Sequence, residues 1–312
     1  MRPLDFEKPL YDLLEKIKEL EIHPGLRGKV DELKKQAEAL RKEIYENLSR
    51  WQVVQIARHS DRLKASDYIE SIFDDFVELH GDRLFADDHA IISGIGKIEG
   101  YSIVIVAEEK GNTTKEKIYR NFGMPHPEGY RKAIRMMELA DKFRMPLLTF
   151  VDTPGAYPGI EAEERGQFSA IAYSIKKMLS IRTPTLSYII GEGGSGGALA
   201  IAAADRVFAL EYSIYSVISP EGAASILFRD SSRSTEAAEA LKITARDLLE
   251  LGIIDGIVPE PMGGNHWDPE TMKETLRNHI LEQLSSLRNI PIDELLNMRH
   301  EKYRKMGLVA GA

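Results

Sequence analysis

The sequence predicts an α/β fold in which helices cover a buried sheet. Three observations carry this reading. Strand-like and helix-like runs alternate from about residue 86 onward. The strand-like runs are apolar along their length, as in sheets covered on both faces. One of them, 185–190, runs through a cluster of glycines directly into a helix-forming stretch.

Residues 1–50 stand apart from that alternation. Leu10, Leu13, Ile17 and Leu20 recur at helical spacing until His23-Pro24-Gly25 breaks the pattern. Val30, Leu33, Ala37, Leu40, Ile44 and Leu48 resume it, among positions that are mostly Lys, Glu and Arg. This predicts a helical hairpin with an apolar seam, either packed on its own domain or serving as an oligomerisation arm. Residues 90–98 and 101–107 read as two strands joined by the hairpin turn Glu99-Gly100. A helix follows over 127–143, opened by Pro127 and Glu128. Then come a strand at 146–151, a helix at 166–179, the strand 185–190 and a helix at 195–204. Residues 207–210 are short and extended. Helices are expected over 220–228 and 237–251, and a β-like run over 253–258. Two amphipathic helices follow from Pro269 onward. The division is an N-terminal arm at 1–50, a central domain at 51–290 and a C-terminal helical tail at 291–312.

At 312 residues the chain can hold one large core or two modest domains. Its net charge of −8 argues against a generic nucleic-acid binder, which would be basic. No apolar run approaches the roughly 20 residues that cross a bilayer. The N-terminus has no signal-peptide core, and zero cysteines fit a cytoplasmic protein. The same absence excludes a thiol nucleophile, a disulfide framework and any Cys-ligated zinc on this chain.

The most informative stretch is Gly191-Glu192-Gly193-Gly194-Ser195-Gly196-Gly197. It reads as strand, tight glycine turn, helix start. Glycine permits close backbone approach and positive φ. The first amides of a helix lack intrahelical partners and sit at the positive end of its dipole. Three chemistries fit. Gly193 to Gly197 satisfies G-x-S-x-G, a nucleophile elbow, which would need Ser195 together with His266, His279 or His300. Gly191, Gly193 and Gly196 satisfy G-x-G-x-x-G with Glu211 further on, but the intervening helix is short for a dinucleotide fold. In the third reading the backbone is the catalyst, its amides stabilising an oxyanion with no side-chain nucleophile.

Other loops have similar character. Residues 150–159 leave a strand end with two prolines and two glycines. In 216–222, Ser219 is placed to cap the following helix, and Glu221 to complement its dipole. Residues 110–117 form a polar, basic loop, followed by 121–125.

Together these motifs resemble the carboxyltransferase alpha subunits of the multi-subunit bacterial-type acetyl-CoA carboxylases. The matching segments run in order: Thr114-Lys115-Glu116-Lys117, 121–124, 127–133, 152–159, 162–167, 191–200, 215–222, Pro259-Glu260-Pro261 and Gly263-Gly264. The N-terminal hairpin and Trp51-Gln52 also fit, so the likeness covers nearly the whole chain. It implies a crotonase-like spiral of ββα units with flanking helices, the central domain being the C-terminal type of CoA carboxyltransferase domain. It implies transfer of a carboxyl group from carboxybiotin to acetyl-CoA, giving malonyl-CoA, the first committed step of fatty acid synthesis. The biotin would ride on the biotin carboxyl carrier protein, charged by biotin carboxylase. A beta subunit with a zinc ribbon would supply the metal and most acyl-CoA contacts in an α2β2 assembly in the cytoplasm, with no membrane or nucleic-acid partner required. The family's oxyanion pair falls on Gly196 and Gly197, whose amides would hold the ureido carbonyl. Gly193, Gly194 and Ser195 would shape the turn, with Tyr157 and Ser219 in the wall of the biotin pocket. The rival is a stand-alone crotonase-type hydratase, isomerase or hydrolase, for which Glu192 and Glu221 are the nearby acid–base candidates.

Overall fold

The computed structural model describes residues 3–307. Residues 1 and 2 of the arm and 308–312 of the tail lie outside them. Eight strands form one sheet: β1 (Asp74–Glu78), β2 (Ile91–Ile98), β3 (Tyr101–Glu108), β4 (Leu147–Thr153), β5 (Thr185–Gly194), β6 (Arg206–Leu210), β7 (Ile214–Ser216) and β8 (Gly256–Val258). The order is β1-β2-β3-β4-β5-β6-β8, and β7 pairs with β5. The hairpin is as expected: Glu99 and Gly100 both take positive φ, and β2 pairs antiparallel with β3. From β3 to β6, and on to β8, pairing is parallel.

Each face of the sheet is covered, which is why the strands carry so little polar alternation. On one side Val104, Val106, Val151 and Ile189 pack on Tyr130, Met136, Met137, Met178 and Ala198. These come from the helices Pro127–Phe143, Gln167–Ser180 and Ser195–Ala202. On the other, Ile103, Leu148, Phe150 and Tyr188 meet Tyr68, Ile72, Leu276, Ile280 and Leu284. Those belong to the helices Ala65–Ile72 and Pro269–Arg288. The helix Pro127–Phe143 starts on the expected proline and ends where Arg144 turns left-handed.

The N-terminal hairpin consists of Lys8–Glu21 and Arg27–Glu46. Its seam residues Leu10, Ile17, Val30, Ala37 and Tyr45 share a cluster with Ile56, Tyr212, Met262 and Trp267 of the body. The hairpin is therefore docked on its own domain.

Several elements differ from the sequence reading. β1, β7 and the helices Arg50–Ala57 and Ala65–Ile72 have no counterpart in it. The expected helix over 237–251 is two, Ser234–Leu241 and Ala245–Glu250. Lys242 turns left-handed between them, and Thr244 caps the second through the Asp247 amide. The basic loop at 110–117 contains the short helix Thr114–Tyr119, opened by a Thr113–Glu116 capping box.

Candidate active site

The glycine cluster is mostly strand. Gly191 to Gly194 complete β5, and the helix begins at Ser195. None of Gly191, Gly193, Gly194, Gly196 and Gly197 takes a positive φ; the residue that does is Ser195, at 54°. Of the two freedoms glycine offers, close approach is the one used here: most are there because something passes too close for a Cβ. A Cβ on Gly194 would overlap the Pro154 carbonyl. One on Gly193 would lie 2.8 Å from the Tyr215 ring, and one on Gly197 2.6 Å from the Ala156 nitrogen.

Gly196 is the exception. A Cβ there would meet only the Ile171 side chain, at 3.4 Å, an ordinary contact. Its φ is one that any residue adopts, and a helical glycine costs about 0.5–1 kcal/mol relative to alanine. The fold of this chain does not require glycine at Gly196.

Beside it is a groove of about 310 Å³ lined by Ser195, Gly196, Leu199, Tyr215, Val217 and Leu248 among others. The helix Ser195–Ala202 has Gly194 as its N-cap and no side-chain cap, so its first amides are not closed off by a side chain. An apolar groove with the start of an uncapped helix in its wall suits a ligand with an apolar body and a polar carbonyl end.

The structure brings Ser195 and Gly196 to the groove surface and buries Gly193, Gly194 and Gly197 behind them. It does not bring Tyr157 or Ser219 into the groove lining. The Tyr157 ring stacks on His126 at 4.3 Å, and its carbonyl accepts from Gln167. The Ser219 hydroxyl caps the helix Pro220–Phe228 by accepting from the Gly222 amide at 3.1 Å. Its neighbours Ser216 and Val217 do line the groove.

The acid–base rival finds no free acid. The Arg58 guanidinium donates to Glu192 at 2.6 Å and to Glu221 at 2.8 Å. Although burial pulls the other way, the bond from Arg58 holds Glu221 below the usual glutamate range. The serine-hydrolase reading finds no base, since no histidine lines the groove at Ser195. His266 is buried and stacked on His59 at 4.2 Å; burial, with His59 and Arg62 beside it, pushes it down to about 3. His279 is bonded to the Tyr188 hydroxyl and His300 to the Leu179 carbonyl. Nor does the helix after the glycines reach a dinucleotide length, ending at Ala202.

Sequence reasoning missed the layer beneath the turn. The Lys110 ammonium lies 2.8 Å from Asp152 and 3.1 Å from Glu192. The buried Arg62 grips Glu260 with two bonds and donates a third to the Ile190 carbonyl. For Asp152 and Glu192 the signal in the sequence was charge in otherwise apolar strand ends.

Glu108, at the end of β3, is fully buried, and no side chain among the described residues is hydrogen-bonded to its carboxylate. The Tyr130 hydroxyl, 3.0 Å from where a Gly197 Cβ would stand, is likewise buried and unpartnered. Burial first, then the Asp152 charge, push the Glu108 carboxyl well above its ordinary range. Above about pH 4.3 an unfolded chain releases this proton while the folded chain keeps it, so rising pH costs stability until the folded pKa is reached. Glu108→Gln titrates in neither state. Its stability relative to wild type is therefore expected to rise with pH. Urea midpoints from about pH 4 to about pH 8 check this; a difference that stays flat refutes it.

Among the solved structures this fold is similar to are a transcarboxylase, the beta subunit of a geranyl-CoA carboxylase and a malonate decarboxylase. A transcarboxylase 12S subunit matches with a TM-score of 0.60 at 19% identity, over 75% of this chain and 44% of that one. A Pseudomonas malonate decarboxylase hetero-tetramer matches at 0.55 and 19% identity, over 67% of this chain and 84% of that one. The fold is the crotonase-like one. The family model described as acetyl co-enzyme A carboxylase carboxyltransferase-like matches residues 3–307. The chain is 55% identical over 311 residues to the acetyl-coenzyme A carboxylase carboxyl transferase subunit alpha of Geobacter metallireducens, covering 98% of each. To the subunit of the same name from Thermus thermophilus it is 52% identical, covering 99% of each. The chain belongs to the acetyl-CoA carboxylase carboxyltransferase alpha family, and it is a transferase acting in that enzyme.

Proposed function

We propose that this chain holds the ureido end of carboxybiotin at the Gly196 and Gly197 amides while a partner subunit presents acetyl-CoA, the product being malonyl-CoA. The observation that carries the reading is Gly196, a glycine its own fold does not need, at the mouth of an apolar groove. Leu199, Tyr215, Val217 and Leu248 would pack the apolar ring and chain of biotin. Carboxybiotin supplies the carboxyl group as CO2, and a ureido nitrogen basic enough to take a proton from the acetyl methyl. The two N–H groups stabilise negative charge on the ureido oxygen, a task in which one lost donor costs roughly 2.7–4 kcal/mol in other enzymes. No carboxylate or histidine of this chain has to move a proton, consistent with Glu192 and Glu221 both being engaged by Arg58.

The described residues contain no group of three His, Cys, Asp or Glu arranged to hold a metal ion. The zinc-bearing beta subunit, the α2β2 stoichiometry, the biotin carboxyl carrier protein and biotin carboxylase belong to this proposal; the relatives' name, subunit alpha, supports a further subunit. No described helix is long and apolar enough to cross a membrane, and a cytoplasmic site of action is part of the same reading. The test is assembly-dependent activity. The purified chain alone should leave crotonyl-CoA and acetyl-CoA unchanged, whereas material co-purified with its partner should carboxylate acetyl-CoA when given carboxybiotinyl carrier. Hydration of crotonyl-CoA by the lone chain would favour the rival.

A further inference from the structure

The parallel ladder between β4 and β5 slips just before the candidate site. Val151 pairs with Ile189, but the next pairing is Thr153 with Gly193, so β5 carries two extra residues across that step. Up to the slip β5 pairs with β6; beyond it, Glu192, Gly193 and Gly194 pair with β7. A bulge of this kind re-aims the strand that carries it. Here it re-aims the segment that delivers Ser195 and Gly196 to the groove, with Gly197 buried behind them.

A bulge also frees backbone groups that the ladder would have satisfied. Two are taken by side chains. The Ile190 carbonyl accepts from Arg62 at 2.8 Å, and the Glu192 amide donates to Asp152 Oδ1 at 2.9 Å. A Cβ on Gly191 would lie 2.6 Å from that same Oδ1, so glycine there lets the carboxylate come in. Lys110, just past the end of β3, then bridges Asp152 on β4 to Glu192 on β5. Arg58 carries the chain of charges on to Glu221, at the start of the next helix. Burial disfavours the Lys110 charge, yet Asp152 and Glu192 hold its pKa above the ordinary lysine value. Burial likewise opposes the Asp152 charge, but Lys110, then Lys64, hold that carboxyl below its usual range. Both partners shift as a true ion pair requires.

We infer that Lys110 is a positioning residue for carboxyl transfer: bridging Asp152 and Glu192, it sets where the bulged end of β5 holds the Gly196 and Gly197 amides. The inference rests on the proposed role of those amides. It locates the accuracy of the site in a side-chain ion clamp, because the backbone ladder is interrupted there.

The experiment uses the chain assembled with its partner, assayed for transfer from carboxybiotinyl carrier to acetyl-CoA. Lys110→Met keeps the stem and removes the charge. Displacement of donors by a fraction of an ångström is expected to lower kcat roughly 10- to 100-fold, with the KM for acetyl-CoA within about twofold because that substrate is presented by the partner. The chain has no cysteine, so Lys110→Cys treated with 2-bromoethylamine before it is assembled with its partner, the incorporation confirmed by mass, restores an ammonium at nearly the same reach. That adduct is expected to recover most of the lost kcat. A purely structural role would instead lower the amount of assembled enzyme and leave kcat per assembled site unchanged, and that result overturns the inference. If Lys110→Met fails to assemble, Glu192→Gln, nearly isosteric, takes its place: an unchanged kcat overturns the inference, and a fall in kcat at constant KM upholds it. Wild-type enzyme that transfers no carboxyl group at all would defeat the underlying reading instead.

Discussion

Gly196→Ala is expected to make the protein more stable and the enzyme much slower. A methyl group at Gly196 meets only Ile171, at ordinary contact distance, and the backbone is already helical without positive φ. Replacing a helical glycine by alanine under those conditions stabilises by roughly 0.5–1 kcal/mol. The same methyl group would stand in the groove lining, where on the proposed reading the ureido oxygen approaches the amides. Gly196→Val goes further and should block entry, lowering kcat/KM by at least the roughly 2.7–4 kcal/mol of one lost oxyanion donor, about 10²- to 10³-fold. Urea unfolding and carboxyl-transfer assays of the assembled enzyme measure the two effects separately. Opposite signs in the two assays are the signature of a glycine kept for a ligand. A Gly196→Val enzyme that assembled normally and kept full turnover would falsify the site assignment.

The second large effect lies at the far end of the strands. Arg299→Ala is expected to cost about 3–5 kcal/mol, the range for removing one partner of a buried ion pair. The Arg299 guanidinium is completely buried and uses all five of its donors. Nε and Nη2 each reach an oxygen of Asp205 at 2.7 Å; Nη1 reaches the carbonyls of Met178 and Ile181, and Nη2 also that of Thr183. Truncation leaves the Asp205 carboxylate buried, with only Thr185 donating to its Oδ2 and no neighbouring positive charge from Arg299. It also leaves three carbonyls without that donor. Arg299→Lys, with three donors and no fork, is expected to fall between wild type and alanine. Denaturant midpoints decide it: a loss under about 1 kcal/mol would mean that the pair adds little beyond packing. This contact also bears on the division of the chain. The helix Ile292–Lys305, set apart in the sequence reading as a tail, plugs its arginine into the strand junctions of the central sheet.

Much of the architecture was legible because local rules and tertiary demands agreed. The Glu99-Gly100 turn, the proline-opened helix at Pro127 and the N-terminal hairpin follow from turn chemistry and periodicity, and the structure keeps all three. Ser219 was legible as a cap for the same reason, since capping is decided within four residues. The expected single helix over 237–251 failed because nothing in composition marks Lys242 as left-handed; only the Thr244–Asp247 capping box signals a restart. β7 was missed because three residues carry no period, and its partner is a strand end 22 residues earlier.

The candidate site divides along the same line. Residue identity placed a run of small residues where a strand passes into a helix, and that was enough to favour backbone amides over a triad or a nucleotide fingerprint. Which glycines answer to neighbours and which to a ligand was undecidable in one dimension. Gly194 is held by the Pro154 carbonyl and Gly197 by the Ala156 nitrogen, each some forty residues earlier in the chain. Lys110, Asp152 and Glu192 likewise sit in three separate motifs, and a register slip between two strands makes them one ion cluster. Pattern gave the class of fold and the ordered motifs gave the family, and the glycine stretch is where the proposed site is read. Steric fit and charge pairing depend on distances between residues far apart in sequence, so the folded chain alone assigned each of those residues its task.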